Sequence, residues 1–128
     1  MPRPPASDRG AAAVEFALVA PLLLVLVVGI AEFGRAYDTE AALSQAAREG
    51  ARALALGSTP AVTRATARAA APQLVLGDGN IVLSRSTCLG TAASATATVD
   101  VTARFVFLTG LLGSPMTLTG TSTMRCQG

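Results

Sequence analysis

The chain has 128 residues, a formal net charge of +2, and hydrophobic residues at 51% of its positions. That length allows one modest domain beside any membrane segment. Its ten basic residues are all arginine and form no run, and it has only five aromatics. Nucleic-acid binding, which needs a basic patch and stacking platforms, is therefore not expected.

Residues 1–10 (MPRPPASDRG) read as a short, polar, proline-rich leader. Arg3, Arg9 and the terminal amine outweigh Asp8, so the positive-inside rule keeps this end in the cytoplasm and sends the C-terminus out. Residues 11–31 then read as a transmembrane helix. At ~1.5 Å per residue, about 20 residues match a hydrocarbon core roughly 30 Å thick. Glu15 is the one charge in this stretch. A carboxylate at mid-bilayer costs roughly 2.5–3.5 kcal/mol, whereas the Val, Leu, Ile and Phe residues from Val14 to Ile30 together contribute about −4 to −7 kcal/mol. Insertion wins, and Glu15 still needs a partner. An intramembrane acid is either functional or a charge tolerated near a helix end. Pro21 predicts a kink, because it lacks an N–H and crowds the carbonyl of Ala17.

The helical period continues over residues 32–56 with a different composition. Phe33, Ala36, Tyr37, Leu43, Ala47, Ala51 and Leu54 recur mostly at three- and four-residue intervals and predict an apolar stripe. Arg35, Asp38, Arg48, Glu49 and Arg52 lie mostly off it. Gly57-Ser58-Thr59-Pro60 stops the helix. Thr59 as cap and Pro60 as first residue then start a short helix over 60–71.

Strands are expected within residues 74–126. Leu74–Leu76 and Asn80–Arg85 flank Gly77-Asp78-Gly79 as a candidate hairpin. Thr96–Phe107 alternates, with Val99, Val101, Ala103, Phe105 and Phe107 on one face. Met116–Met124 alternates threonines with Met116, Leu118, Ser122 and Met124. The fold class is therefore α+β. A long N-terminal membrane-spanning helix continues into a small exported domain, residues 32–128, with a short helix and a 3–4 stranded antiparallel sheet. The sheet's apolar face needs cover, and the stripe through Phe33, Tyr37, Leu43, Ala47, Gly50 and Leu54 is the candidate.

Cys88 and Cys126 both fall in the exported part, where an oxidising compartment permits a disulfide; free thiols are the alternative. No residues carry catalysis. Histidine is absent, Asp78 and Asp100 are lone carboxylates read as solvated, and two cysteines without histidine cannot complete a zinc site. No phosphate loop or nucleotide fingerprint occurs. The expectation is a non-enzyme with no cofactor and no metal.

Gly10-Ala11-Ala12-Ala13-Val14-Glu15-Phe16, leading into the apolar helix, resembles a type IV prepilin processing site. The resemblance implies cleavage by a membrane-embedded prepilin-type peptidase after Gly10. Ala11 then becomes the first residue, Glu15 the fifth, and the freed amine a partner for the glutamate. Three segments together extend the likeness: residues 9–24, Glu32-Phe-Gly-Arg35, and Ala46-Ala-Arg-Glu-Gly-Ala-Arg52. They resemble the TadE-like family, pseudopilins of the bacterial tight-adherence (Flp) pilus machinery. The resemblance covers residues 9–56, extends loosely to the threonine-rich end, and leaves residues 57–95 unmatched. It implies a single-pass protein of the cytoplasmic membrane whose partners are membrane lipid, the prepilin-type peptidase and other pilin-like subunits. A secreted module is the competing reading, since Gly29-Ile-Ala31 is a small-x-small site of the kind signal peptidase uses. Glu15 within the apolar region and the stripe continuing beyond it weigh against that.

Overall fold

The computed structural model describes residues 9–110 and 113–127. Most of the leader, residues 1–8, therefore lies outside the described residues. The chain divides into two compact units, Met1–Gly34 and Arg35–Gly128.

Helix α1 spans Arg9–Ala55. Its residues in the first unit are almost uniformly exposed, from Phe16 through Leu22 and Leu24 to Ile30. The helix runs through Pro21. The one backbone bond that proline removes is weighed there against many retained ones, and apolar helices of this kind tolerate it.

The second unit is the α+β part. Its share of α1 ends where Gly57 takes a positive φ of 86°. The amide of Gly57 bonds to the carbonyl of Leu54 and that of Ser58 to Ala53, a Schellman closure that satisfies the last carbonyls. Helix α2, Pro60–Ala70, follows at once, with Thr59 Oγ1 accepting from the Val62 amide. A 3-10 turn at Asp78–Asn80 leads into β1 (Ile81–Leu83), β2 (Thr96–Phe105) and β3 (Met116–Arg125). The three strands form one antiparallel sheet in the order β1-β2-β3.

Alternation in β2 decides which face is buried. Ala97, Val99, Val101 and Phe105 point inward, while Thr98 and Thr102 lie on the other face. The inner face meets Leu43, Ala46, Ala47, Ala51 and Leu54 of α1, with Ala67 of α2 completing the core. Many of these residues are alanine, so the layers approach closely and gain contact from short separation rather than from large side chains.

Leu74–Leu76 is not a strand, and Gly77-Asp78-Gly79 is not a hairpin turn. Arg68 takes the Leu76 carbonyl through Nε at 2.9 Å, and its guanidinium pairs with Asp78. Val75 is fully exposed. The Leu76 carbonyl is thus bound to α2 rather than to a ladder, and the Gly77 amide donates to Asn80 Oδ1. β1 is shorter than the expected Asn80–Arg85, and β2 ends two residues before Phe107. Asp100, read as solvated, accepts from Thr121 Oγ1 at 2.6 Å across the β2–β3 pair.

Candidate functional site

The first unit presents its chemistry on bare helix. Gly10, Ala11, Glu15 and Phe16 are all helical and exposed. Ala11 and Glu15 stand one helical turn apart on one face. A helical side chain leans toward the N-terminus, so the Glu15 carboxylate is directed back toward the turn that holds Ala11. Backbone amides in the first turn have no intrahelical acceptor, so the Gly10–Ala11 peptide lies where α1 is least held.

Beyond Glu15 the apolar side chains surround the helix rather than forming one stripe. Phe16, Leu18, Leu22, Leu24 and Ile30 are each about two-thirds or more exposed. A helix apolar on all sides is either a core helix or a membrane span, and none of its most apolar window is buried. It is long and apolar enough to cross a membrane. Val25, Leu26, Gly29, Ile30 and Phe33 line a shallow apolar groove along it. A Cβ on Gly29 would meet nothing within 4 Å, so the backbone is open to close approach there.

In the second unit, Leu43, Ala47, Gly50 and Leu54 are all buried. Their spacing of four, three and four residues keeps them on one face. Gly50 lies at a close crossing, where a Cβ would come 3.2 Å from Val99 Cγ1 and 3.3 Å from Ala67 Cβ. The Ala46–Arg52 run therefore packs Ala46, Ala47, Gly50 and Ala51 inward and leaves Arg48 and Arg52 exposed.

Phe33 and Tyr37 do not belong to this packed face. They are 68% and 75% exposed. The covered positions of this stretch are Glu32, Ala36, Thr39, Ala42 and Leu43. Phe33 and Tyr37 each follow a covered position by one residue, which turns them about 100° around the helix. Their three- and four-residue spacing was right for a stripe but one residue out of phase with the buried one.

Cys88 and Cys126 are joined in a disulfide with Cα atoms 5.3 Å apart, and both are buried. The bridge is flanked by backbone bonds from Cys126 to Ala95 and from Gln127 to Ala55. Three ends meet there: the close of α1, the approach to β2 and the C-terminal side of β3.

Two residues that matter here were given no packing role from the sequence. Gly120 is buried in β3 opposite Val101. A Cβ on it would collide with the Leu43 carbonyl and stand 2.5 Å from the Ser44 amide nitrogen. The strand and helix backbones touch at this point. An isolated glycine inside an alternating strand was the available signal. Glu32 is the other, only 2% exposed despite its charge. Its place on the face of Ala36, Thr39 and Leu43 was legible only once the true phase of the stripe was known.

Among the described residues, no three His, Cys, Asp or Glu side chains are grouped to hold a metal ion. Residues 10–52 match the family model described as TadE-like protein, about a third of the chain. The resemblance read from the sequence holds over that segment, which runs from Gly10 through the Ala46–Arg52 run and stops short of α2 and the sheet. No curated protein and no solved structure matches the chain.

Proposed function

We propose, from the TadE-like match of residues 10–52, that this chain takes part in assembly of a bacterial tight-adherence (Flp) pilus or a related export system, as a pseudopilin-like component. The observation that carries the reading is the bare apolar helix of the matching segment, with Glu15 five residues beyond Gly10. In this reading the helix crosses the cytoplasmic membrane once, with the N-terminus inside and the Arg35–Gly128 unit outside. A prepilin-type peptidase cuts after Gly10. The chain then works without catalysis, through helix association with pilin-like subunits in the lipid and through its outer unit.

The chemistry is that of a charge pair in a low dielectric. Cutting after Gly10 frees an ammonium on Ala11. Glu15, one turn along and leaning toward that end, is a carboxylate that lipid cannot solvate. The pair forms within one chain or between neighbours. Between neighbours it sets the axial register of the helices, because an unpaired charge in lipid is expensive.

The test is the intact mass of protein extracted from membranes. A chain beginning at Ala11 supports the reading. A chain beginning at Glu32 establishes the secreted module instead, and an uncut chain leaves a plain membrane anchor.

A further inference from the structure

The two edges of the sheet are not alike. In the order β1-β2-β3 the outer strands are β1 and β3. β1 is three residues long, and its Ile81 carbonyl accepts from Arg64 Nε of α2 at 3.4 Å. β3 is ten residues long, and among the described residues no strand lies on its far side. One bond tells which groups face that side. The Cys126 amide donates to the Ala95 carbonyl, one step beyond the β2–β3 register. Bonded and unbonded positions alternate along an antiparallel pair. Leu118, Gly120, Ser122 and Met124 therefore turn their amides and carbonyls to β2, and Thr117, Thr119, Thr121 and Thr123 turn theirs outward. All four threonines are exposed. Natural edge strands are shortened, charged or covered. β1 is short and covered, whereas β3 has no charge and no proline from Met116 to Met124, with Arg125 at its end.

We propose that the free edge of β3 receives an extended segment of a different protein chain, which adds a fourth strand through the backbone of Thr117, Thr119, Thr121 and Thr123. Strand addition takes its affinity from main-chain bonds and its specificity from alternate side chains. The outer row of side chains states part of that specificity. Thr98 and Thr123 share a hydroxyl bond of 2.8 Å across β2 and β3, and Thr121 donates to Asp100 at 2.6 Å. A segment with threonine, serine or valine at every second position continues this row. Its remaining side chains lie beside the half-buried Leu118, Ser122 and Met124, so they are small or apolar.

A second copy of this chain does not fit the edge. At Gly120 the backbone of α1 lies directly on β3, since an added Cβ would collide with the Leu43 carbonyl. Pairing β3 with β3 would set a second α1 over a strand only ~4.8 Å away. Packed helices keep their axes about 8–10 Å apart. The partner strand is therefore one that carries no helix of its own on that face. The inference uses the Arg35–Gly128 unit alone, and it rests on the proposed function only in taking the partner to be another subunit of the same assembly.

The test puts a photoreactive benzophenone side chain at Thr117 of the full-length chain in its own cells. Irradiation should join it to a different polypeptide, at a segment that alternates hydroxyl or β-branched residues with small or apolar ones. The same probe at Val75, exposed and outside the sheet, should give no adduct. Thr119→Pro removes one outward N–H and spares the bonds to β2, so it should lower the adduct yield at least tenfold. An adduct of two copies of this chain overturns the proposal in favour of self-association. No adduct, an equal yield at Val75, or a yield unchanged by Thr119→Pro also overturns it. If Thr119→Pro does not fold, amide exchange of the unaltered full-length chain in detergent decides. Fast exchange at Thr117, Thr119, Thr121 and Thr123 with slow exchange at Leu118, Gly120 and Ser122 supports the open edge, and uniform protection along β3 overturns it. A chain that begins at Ala11 in membranes but gives no adduct leaves the proposed function standing without this partner. An adduct from a chain with any other N-terminus leaves the strand addition standing without that function.

Discussion

At Glu15, two effects oppose each other. Replacing it with leucine relieves an insertion cost of roughly 2.5–3.5 kcal/mol, so Glu15→Leu should stay in the membrane fraction at least as well as the native protein. In the proposed reading, where cleavage after Gly10 frees an amine, it also removes that amine's partner, and an uncompensated charge in low dielectric is strongly unfavourable. Recovery of pilin-like subunits by co-purification should therefore fall while membrane residence holds; undiminished recovery would reduce Glu15 to a tolerated charge. Gly120 and Gly50 make a second contrast. A methyl at Gly120 meets helix backbone, which cannot move without shifting α1, whereas at Gly50 it meets the side chains of Val99 and Ala67. Gly120→Ala should cost about 1–3 kcal/mol or more by overpacking. At Gly50 the same change gains up to about 1 kcal/mol of helix propensity against a mild crowding term, so Gly50→Ala should lie within about 1 kcal/mol of the native protein. Urea titration of the full-length chain in detergent, read by the melting of its sheet, ranks the two.

At the scale of elements, the covering of the sheet by α1 predicts where truncations hurt. Leu43 is fully buried and Tyr37 is 75% exposed. Leu43→Ala should destabilise the Arg35–Gly128 unit by about 2–5 kcal/mol, and Tyr37→Ala should change it by no more than ~0.5 kcal/mol. Equal effects in the same denaturation measurement would mean that the covered face is drawn wrongly. The Cys88–Cys126 bridge closes a separation of 38 residues. In the chain-entropy model that contributes about 4 kcal/mol. Reduction with dithiothreitol should lower the urea midpoint accordingly, and an unchanged midpoint would show that the backbone bonds around Ala95 and Ala55 suffice without it. The boundaries of α1 and α2 were legible because glycine, threonine and proline act within a few residues of themselves. The segment 74–80 was misread for the opposite reason. Its backbone partner is the side chain of Arg68, several residues away on α2, and no turn rule contains that information.

For the whole molecule, the positive leader and the single apolar helix predict a sided protein. Protease added to spheroplasts should digest the Arg35–Gly128 unit; a unit that is reached only after lysis would invert the proposed orientation. What the sequence determined by itself was everything governed by local period and local chemistry. The uninterrupted apolar run implied a long bare helix, the change of period from 3.6 to 2 divided helix from sheet, and the Gly10–Phe16 and Ala46–Arg52 segments pointed to the TadE-like family that residues 10–52 match. Tertiary structure alone decided the phase of the buried stripe, which passes through Glu32 and Leu43 but leaves out Phe33 and Tyr37. It also decided the contact of Gly120 with the backbone of Leu43 and the stacking of Phe105 on Arg35. Period reports which residues share a face and hydrophobicity reports which faces want cover. Where the covering layer begins and ends depends on the register of strands more than fifty residues away, which no local pattern records.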